Sequence, residues 1–121
     1  ISKKIKIDFK PTKACIVTDE KWFIFVFEQI ISNALKYIKK GQIFIYMKEK
    51  SLVIEDTGIG IPAEDLPRIF EKGFTGYNGR ENKKSTGIGL YLCKNIMDKL
   101  QWNITVDSEV GSGTKIYLTK M

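Results

Sequence analysis

Asp56 ends the apolar run Leu52-Val53-Ile54 and is followed by Thr57-Gly58-Ile59-Gly60-Ile61-Pro62. A carboxylate at the end of a strand can accept a hydrogen bond from a heterocyclic base. A second pair of glycines lies in Ser85-Thr86-Gly87-Ile88-Gly89-Leu90, where an amphipathic stretch begins. A glycine loop feeding a helix N-terminus presents free backbone N–H groups and the positive end of the helix dipole, which suits phosphates. A site for a base together with a site for phosphates points to a nucleotide. Each motif alone is also what an ordinary turn uses to reach positive φ, so the weight rests on their joint occurrence.

Composition narrows the classes open to such a chain. With 121 residues, 43% of them hydrophobic, it has enough for one core and too little for two. The longest unbroken apolar stretch, Trp22 to Phe27, falls far short of the roughly 20 residues a membrane helix needs. No basic segment followed by an apolar run and a small-residue cleavage site opens the chain, so nothing marks it for export, and its start at Ile1 without a Met reads as that of a piece cut from a longer protein. Cys15 and Cys93 sit in apolar settings far apart, as reduced buried thiols do. The net charge is +6, with lysines gathered at 3–6, 36–40 and 83–84. A basic face for nucleic acid and a phosphate site both account for those lysines, but no aromatic stacking platform is interleaved with them. The chain contains no histidine. That removes His-based triads, His general bases and His-ligated metals, and two separated cysteines cannot make a zinc site.

The elements that must hold these motifs follow from periodicity. Lys4 to Phe9 alternates polar and apolar as a half-buried strand, and Ala14 to Val17 reads as a short second one. Asp19 is the expected N-cap of a helix with Glu20 in its first turn. Trp22 to Phe27 has strand-forming residues throughout, yet the spacing Phe23, Phe27, Ile30/Ile31, Ala34, Ile38 is helical. Gln29, Asn33, Lys36 and Lys40 recur on the opposite side, and Gly41 is the expected terminator. Strands are expected over Ile43 to Met47 and Ser51 to Glu55, then a short helix over Pro62 to Phe70. Glu71 to Lys84 has no periodicity and reads as a mobile loop. A broad apolar stripe from Thr86 to about Leu100 predicts a helix buried by more than one neighbour. Trp102 to Val106 and Ile116 to Leu118 close the chain as a hairpin around Gly111-Ser112-Gly113. The fold class expected is α+β: a two-layer sandwich with a mixed, largely antiparallel sheet under two long helices and one short one.

In this order the motifs resemble the ATP-binding catalytic domain of bacterial sensor histidine kinases, with its Bergerat ATP-binding fold. Phe27 to Tyr37 looks like the family's N box, Asp56 to Ile61 its first glycine box, Arg68 to Phe74 its F box and Ser85 to Leu90 its second glycine box. The resemblance runs from about Ile5 to Leu118, and the single domain 1–121 is the catalytic piece of a larger sensor kinase. The Lys72-Gly73-Phe74-Thr75-Gly76 form of the F box is similar to that of sensor kinases for cell-envelope and antimicrobial-peptide stress.

The resemblance implies ATP and Mg²⁺ as cofactors and a role for each matching residue. Asn33 would hold Mg²⁺ through its side-chain carbonyl, with phosphates and water completing the octahedron. Lys36, one turn on, would neutralise phosphate oxygens. Tyr37 would stack on the adenine, and Asp56 would accept from its amine, with Thr114 supporting that wall. Gly58 and Gly60 would let the backbone approach the base, while Ile61 and Leu90 give it apolar contact. Thr86, Gly87, Ile88 and Gly89 would meet the phosphates. Phe70 and Lys72 of the F box count among the nucleotide contacts, and Asn33, Lys36 and Arg80 form the catalytic set. Lys72, Arg80, Lys83 and Lys84 are candidate lid cations, each of which singly also reads as a solvated loop charge. The implied partners are the kinase's own histidine-bearing dimerisation domain and a response-regulator receiver domain, with no nucleic acid. The parent would be a membrane-anchored homodimer, with this domain on its cytoplasmic side, in two-component signal transduction.

Two positions depart from the family pattern: Gln29 stands where an Asn is common, and Ser85 opens the second glycine box where Gly is usual. Sister branches resembling this fold (type II topoisomerases, the heat-shock chaperone, mismatch-repair ATPases and the anti-sigma serine kinases) place a Glu at the position of Gln29 to activate water. An amide takes no proton near neutral pH, and Glu28 points about 100° around the helix, so hydrolysis by water is not the expected main reaction. The expected function is transfer of the γ-phosphoryl group of ATP to a histidine on a separate domain. A degenerate ATP-sensing module and an anti-sigma-type serine kinase remain as alternatives.

Overall fold

The computed structural model describes residues 4–9, 20–36, 38, 40–71 and 89–120. Strand β1 (Lys4–Phe9) is followed by helix α1 (Glu20–Lys36), strands β2 (Lys40–Lys48) and β3 (Ser51–Asp56), and a 3₁₀ turn (Leu66–Arg68). Helix α2 (Gly89–Lys99) and strands β4 (Trp102–Glu109) and β5 (Gly113–Lys120) complete the order. The five strands form one sheet in the order β1-β2-β3-β5-β4. β1 and β2 run parallel, which a crossover must connect, and α1 lies in that connection. Every other pairing is antiparallel, so the sheet is mixed and largely antiparallel, as expected.

Alternate positions along each strand point to the same side, and one side of the sheet is buried under the helices. Ile43 and Ile45 on β2, Ile54 on β3, Ile116 and Leu118 on β5, and Trp102 and Ile104 on β4 face the helices in one core. Val26, Ile30 and Ala34 meet them from α1, and Cys93 and Met97 from α2. Burying each large aliphatic side chain contributes about 1.5–3 kcal/mol. The stripe on α1 runs through Val26, which is fully buried, while Phe23, Phe25 and Phe27 flank it half-buried. α2 packs on both α1 and β4, which accounts for its broad apolar face. On the far side of the sheet Tyr46, Val53 and Tyr117 pair in one cross-strand row, and the Tyr46 hydroxyl donates to Glu55 Oε1 at 2.7 Å.

Two expectations are corrected. The segment Pro62 to Phe70 is not an α-helix. Its backbone bonds step back three residues, from Asp65 N to Pro62 O, Arg68 N to Asp65 O and Glu71 N to Arg68 O. Pro67 has no N–H to continue a four-residue ladder, so the segment settles into turns and one 3₁₀ turn. Nor does Gly41 terminate α1. The helix ends at Lys36 and Gly41 lies within β2, opposite Ile5. Thr57 N donates to Gln42 O at 3.1 Å and Gln42 N to Thr57 Oγ1 at 2.9 Å, drawing this stretch into the sheet. A side chain at Gly41 would collide with Thr57 Oγ1. The expected strand at Ala14 to Val17, the Asp19 cap, the loop through Lys84 and the helix start at Thr86 lie outside the described residues.

Candidate functional site

Asp56 closes β3 and pairs with Thr114 at the start of β5, so both side chains leave the same sheet face at the same end. The chain then turns sharply. Gly58 N donates to Asp56 Oδ1 at 2.8 Å, an Asx-type closure that aims the carboxylate back over the loop. Burial pushes the Asp56 carboxyl above its ordinary value, and the amides of Gly58 and Thr114 offset part of that rise. Among the described residues no side chain donates to this carboxylate. A half-buried acceptor held by backbone alone is arranged to receive a donor from elsewhere.

Two glycines bring the walls together. Gly113 has φ +120°, and a Cβ there would run into the Asp56 carbonyl, so only glycine lets β5 start this close to β3. Gly60 has φ +80°, and a Cβ there would run into the Glu109 carbonyl. The loop after Asp56 is thereby laid against the β4–β5 hairpin, where Gly111 N also donates to Ile59 O at 2.9 Å. Ser108 joins the pieces. Ile61 N donates to Ser108 Oγ at 2.8 Å, and that oxygen lies 2.9 Å from Gly113 O and 2.8 Å from Thr114 Oγ1.

A second candidate element lies where α1 meets α2. The side-chain oxygen of Gln29 lies 3.1 Å from where a Cβ on Gly89 would stand, so the amide-bearing face of α1 abuts the first residue of α2. Asn33 follows Gln29 by one turn and is half-buried; no described residue hydrogen-bonds its side chain. An amide oxygen beside a helix N-terminus suits an anion accompanied by a hard cation. No group of three or more His, Cys, Asp or Glu offers a competing metal cluster among the described residues.

The structure therefore brings Asp56, Gly58, Gly60, Ile61 and Thr114 into one bonded unit, and places Gln29 against Gly89, with Asn33 one turn further along α1. Phe70 and Leu90 pack on the core cluster. Lys36 is the last residue of α1. Tyr37, Lys72, Arg80, Thr86, Gly87 and Ile88 lie outside the described residues. Ser108 is not among the residues the sequence singles out. Its signal is a hydroxyl at the fourth inward position of β4, after Trp102, Ile104 and Val106, just before the Gly-Ser-Gly turn.

The described geometry is a backbone-held carboxylate at the end of the central strand β3, and an α1 amide against the glycine that opens α2. Residues 18–121 match the model of the histidine kinase-, DNA gyrase B- and HSP90-like ATPase family. The chain belongs to that ATPase family. Its fold is the family's α+β sandwich, and named relatives are sensor kinases. It is 41% identical over 123 residues to the sensor protein BceS of Halalkalibacterium halodurans, covering 98% of this chain and 37% of that protein. It is 45% identical over 112 residues to the sensor histidine kinase GraS of Staphylococcus haemolyticus, covering 89% of this chain and 33% of that protein. The chain thus spans about a third of the length of these curated relatives. Among solved structures, full-length ShkA in complex with AMPPNP superposes with a TM-score of 0.72 at 17% identity, covering 97% of this chain and 26% of that one. At that identity the likeness concerns the fold alone.

Proposed function

We propose that this chain is the ATP-binding catalytic domain of a sensor histidine kinase, and that it delivers the γ-phosphoryl group of ATP to a histidine outside its own sequence. The observation that supports the reading is the backbone-held carboxylate of Asp56, and beside it in support stands the α2 N-terminus abutted by Gln29 of α1. Family membership supports ATP as the nucleotide.

Asp56 accepts a hydrogen bond from the exocyclic amine of adenine, and Thr114 lines the same wall. The N-terminus of α2 and the residues Thr86, Gly87 and Ile88 before it take the phosphates, with the cations Lys36, Lys72 and Arg80 adding charge. The donor set fits Mg²⁺ in its chemistry: Asn33 offers one hard neutral oxygen and leaves the remaining positions to phosphate and water. When bound, that ion neutralises and orients the phosphate oxygens. Gln29 has no proton-accepting group near neutral pH, so it cannot activate water, and the attacking nitrogen must arrive from a partner domain. The parent protein is then a membrane-anchored homodimer whose response-regulator partner receives the phosphoryl group. No helix of the described residues is long and apolar enough to cross a membrane.

Calorimetry with ATP, with and without Mg²⁺, tests the binding half of this reading. Wild type should bind more tightly with the ion present. Asn33→Ala should lose most of that gain while keeping ion-free affinity. An ion-independent affinity, or an Asn33→Ala variant with the full gain, would remove Asn33 from the metal site.

A further inference from the structure

Ser108 stands at the centre of three hydrogen bonds but has only one proton to give. Gly113 O is a carbonyl and can only accept, so the Ser108 proton goes to it across 2.9 Å. Ile61 N–H donates to Ser108 Oγ and occupies one lone pair. The remaining contact, 2.8 Å to Thr114 Oγ1, then has a single consistent direction: Thr114 donates its proton to Ser108. Ser108 is saturated, and Thr114 is left with lone pairs only on the side away from Ser108.

Thr114 is the cross-strand partner of Asp56, itself an acceptor. Two acceptors side by side call for donors on whatever lies over them. We infer that Ser108 fixes the hydrogen-bond polarity of the base pocket, holding Thr114 as an acceptor so that the pocket takes a base with an amino group and rejects one with a carbonyl there. This rests on the nucleotide-binding reading and deepens it, because Ser108 acts through Thr114 as a positioning residue and need not touch the base. With Ser108 gone, the Thr114 proton is free to turn towards the ligand. A carbonyl that met only lone pairs would then find a donor.

The test compares ADP with inosine diphosphate, whose base carries a carbonyl where adenine carries its amine, by calorimetry on wild type and on Ser108 and Thr114 variants. Wild type should prefer ADP by about 10-fold or more, as expected for a hydrogen bond to a charged acceptor. Ser108→Ala should narrow that ratio by about 2- to 12-fold, the worth of one neutral hydrogen bond. Ser108→Thr, which keeps the hydroxyl, should restore the wild-type ratio. In a Thr114→Val background, Ser108→Ala should leave the ratio where Thr114→Val alone puts it. A purely structural Ser108 would weaken both nucleotides equally and leave the ratio unmoved, which overturns the inference. If Ser108→Ala does not fold, the Thr114 variants decide: the ratio must narrow in Thr114→Val and hold in Thr114→Ser, and any other pattern overturns the inference. Wild type that binds no ADP overturns the nucleotide reading itself and this inference with it, whereas normal ADP binding with an unmoved ratio overturns this inference alone.

Discussion

Asp56→Asn separates what the carboxylate does for the ligand from what it does for the fold. The asparagine side chain keeps an oxygen for the Gly58 amide, now 2.8 Å from Asp56 Oδ1, so the turn should survive the substitution. What disappears is the negative charge facing the base. A hydrogen bond to a charged group is worth about 1.5–3 kcal/mol, so ADP affinity should fall about 10- to 150-fold. Stability should move the other way. Burial raises the folded carboxyl above its unfolded value, so the stability this group contributes is fully present below the unfolded pKa and is lost as pH rises through the folded one. At neutral pH the ionised carboxylate therefore weakens the ligand-free fold, and Asp56→Asn should melt at a higher temperature than wild type. That difference should shrink as pH is lowered through the carboxylate range, while wild-type ADP binding weakens over the same interval. Calorimetry and thermal melting across a pH series measure both. A variant that binds ADP as wild type does, or one that loses ADP and melts lower, would refute the reasoning.

Gly113→Ala should cost on the order of 2–4 kcal/mol, because its Cβ meets the Asp56 carbonyl at φ +120°. Gly111→Ala, also at positive φ but with open space around it, should cost only about 1 kcal/mol. Denaturant melts of the two should therefore differ clearly. Cys93 is fully buried, and burial pushes its thiol up to about 12 from 9.0. It should stay unmodified by a thiol reagent in the native protein at neutral pH. Its contribution to stability should be lost as pH rises between those two values, because the unfolded chain ionises first.

The sheet was legible because its strands carry their burial pattern in residue type. Ile43 and Ile45, Ile54, Ile104, Ile116 and Leu118 lie in short apolar or β-branched runs bounded by turn residues, and all of them reach the core. α1 was legible despite its aromatic, strand-like start, because its apolar spacing persists over several turns and outweighs local propensity. The failures have tertiary causes. Gly41 resembles a helix stop, but bonds between Gln42 and Thr57, fifteen residues away, decide its place. Pro62 suggested a helix start, and Pro67 five residues later denies that helix its ladder. In the candidate site, Asp56 and its glycines stand out because their types are unusual at a strand end. Ser108 does not, since a serine near a turn has many ordinary explanations and only its three partners reveal the role.

Phosphoryl transfer tests the central claim most directly. The chain should be incubated with Mg²⁺ and γ-labelled ATP, alone and with a helical fragment bearing the acceptor histidine. Label should appear only on the partner, in acid-labile form, and Asn33→Ala should abolish it, because the phosphates lose the metal that orients them. Acid-stable label on this chain by itself, or on a serine of an antagonist protein in place of the histidine fragment, would contradict the account.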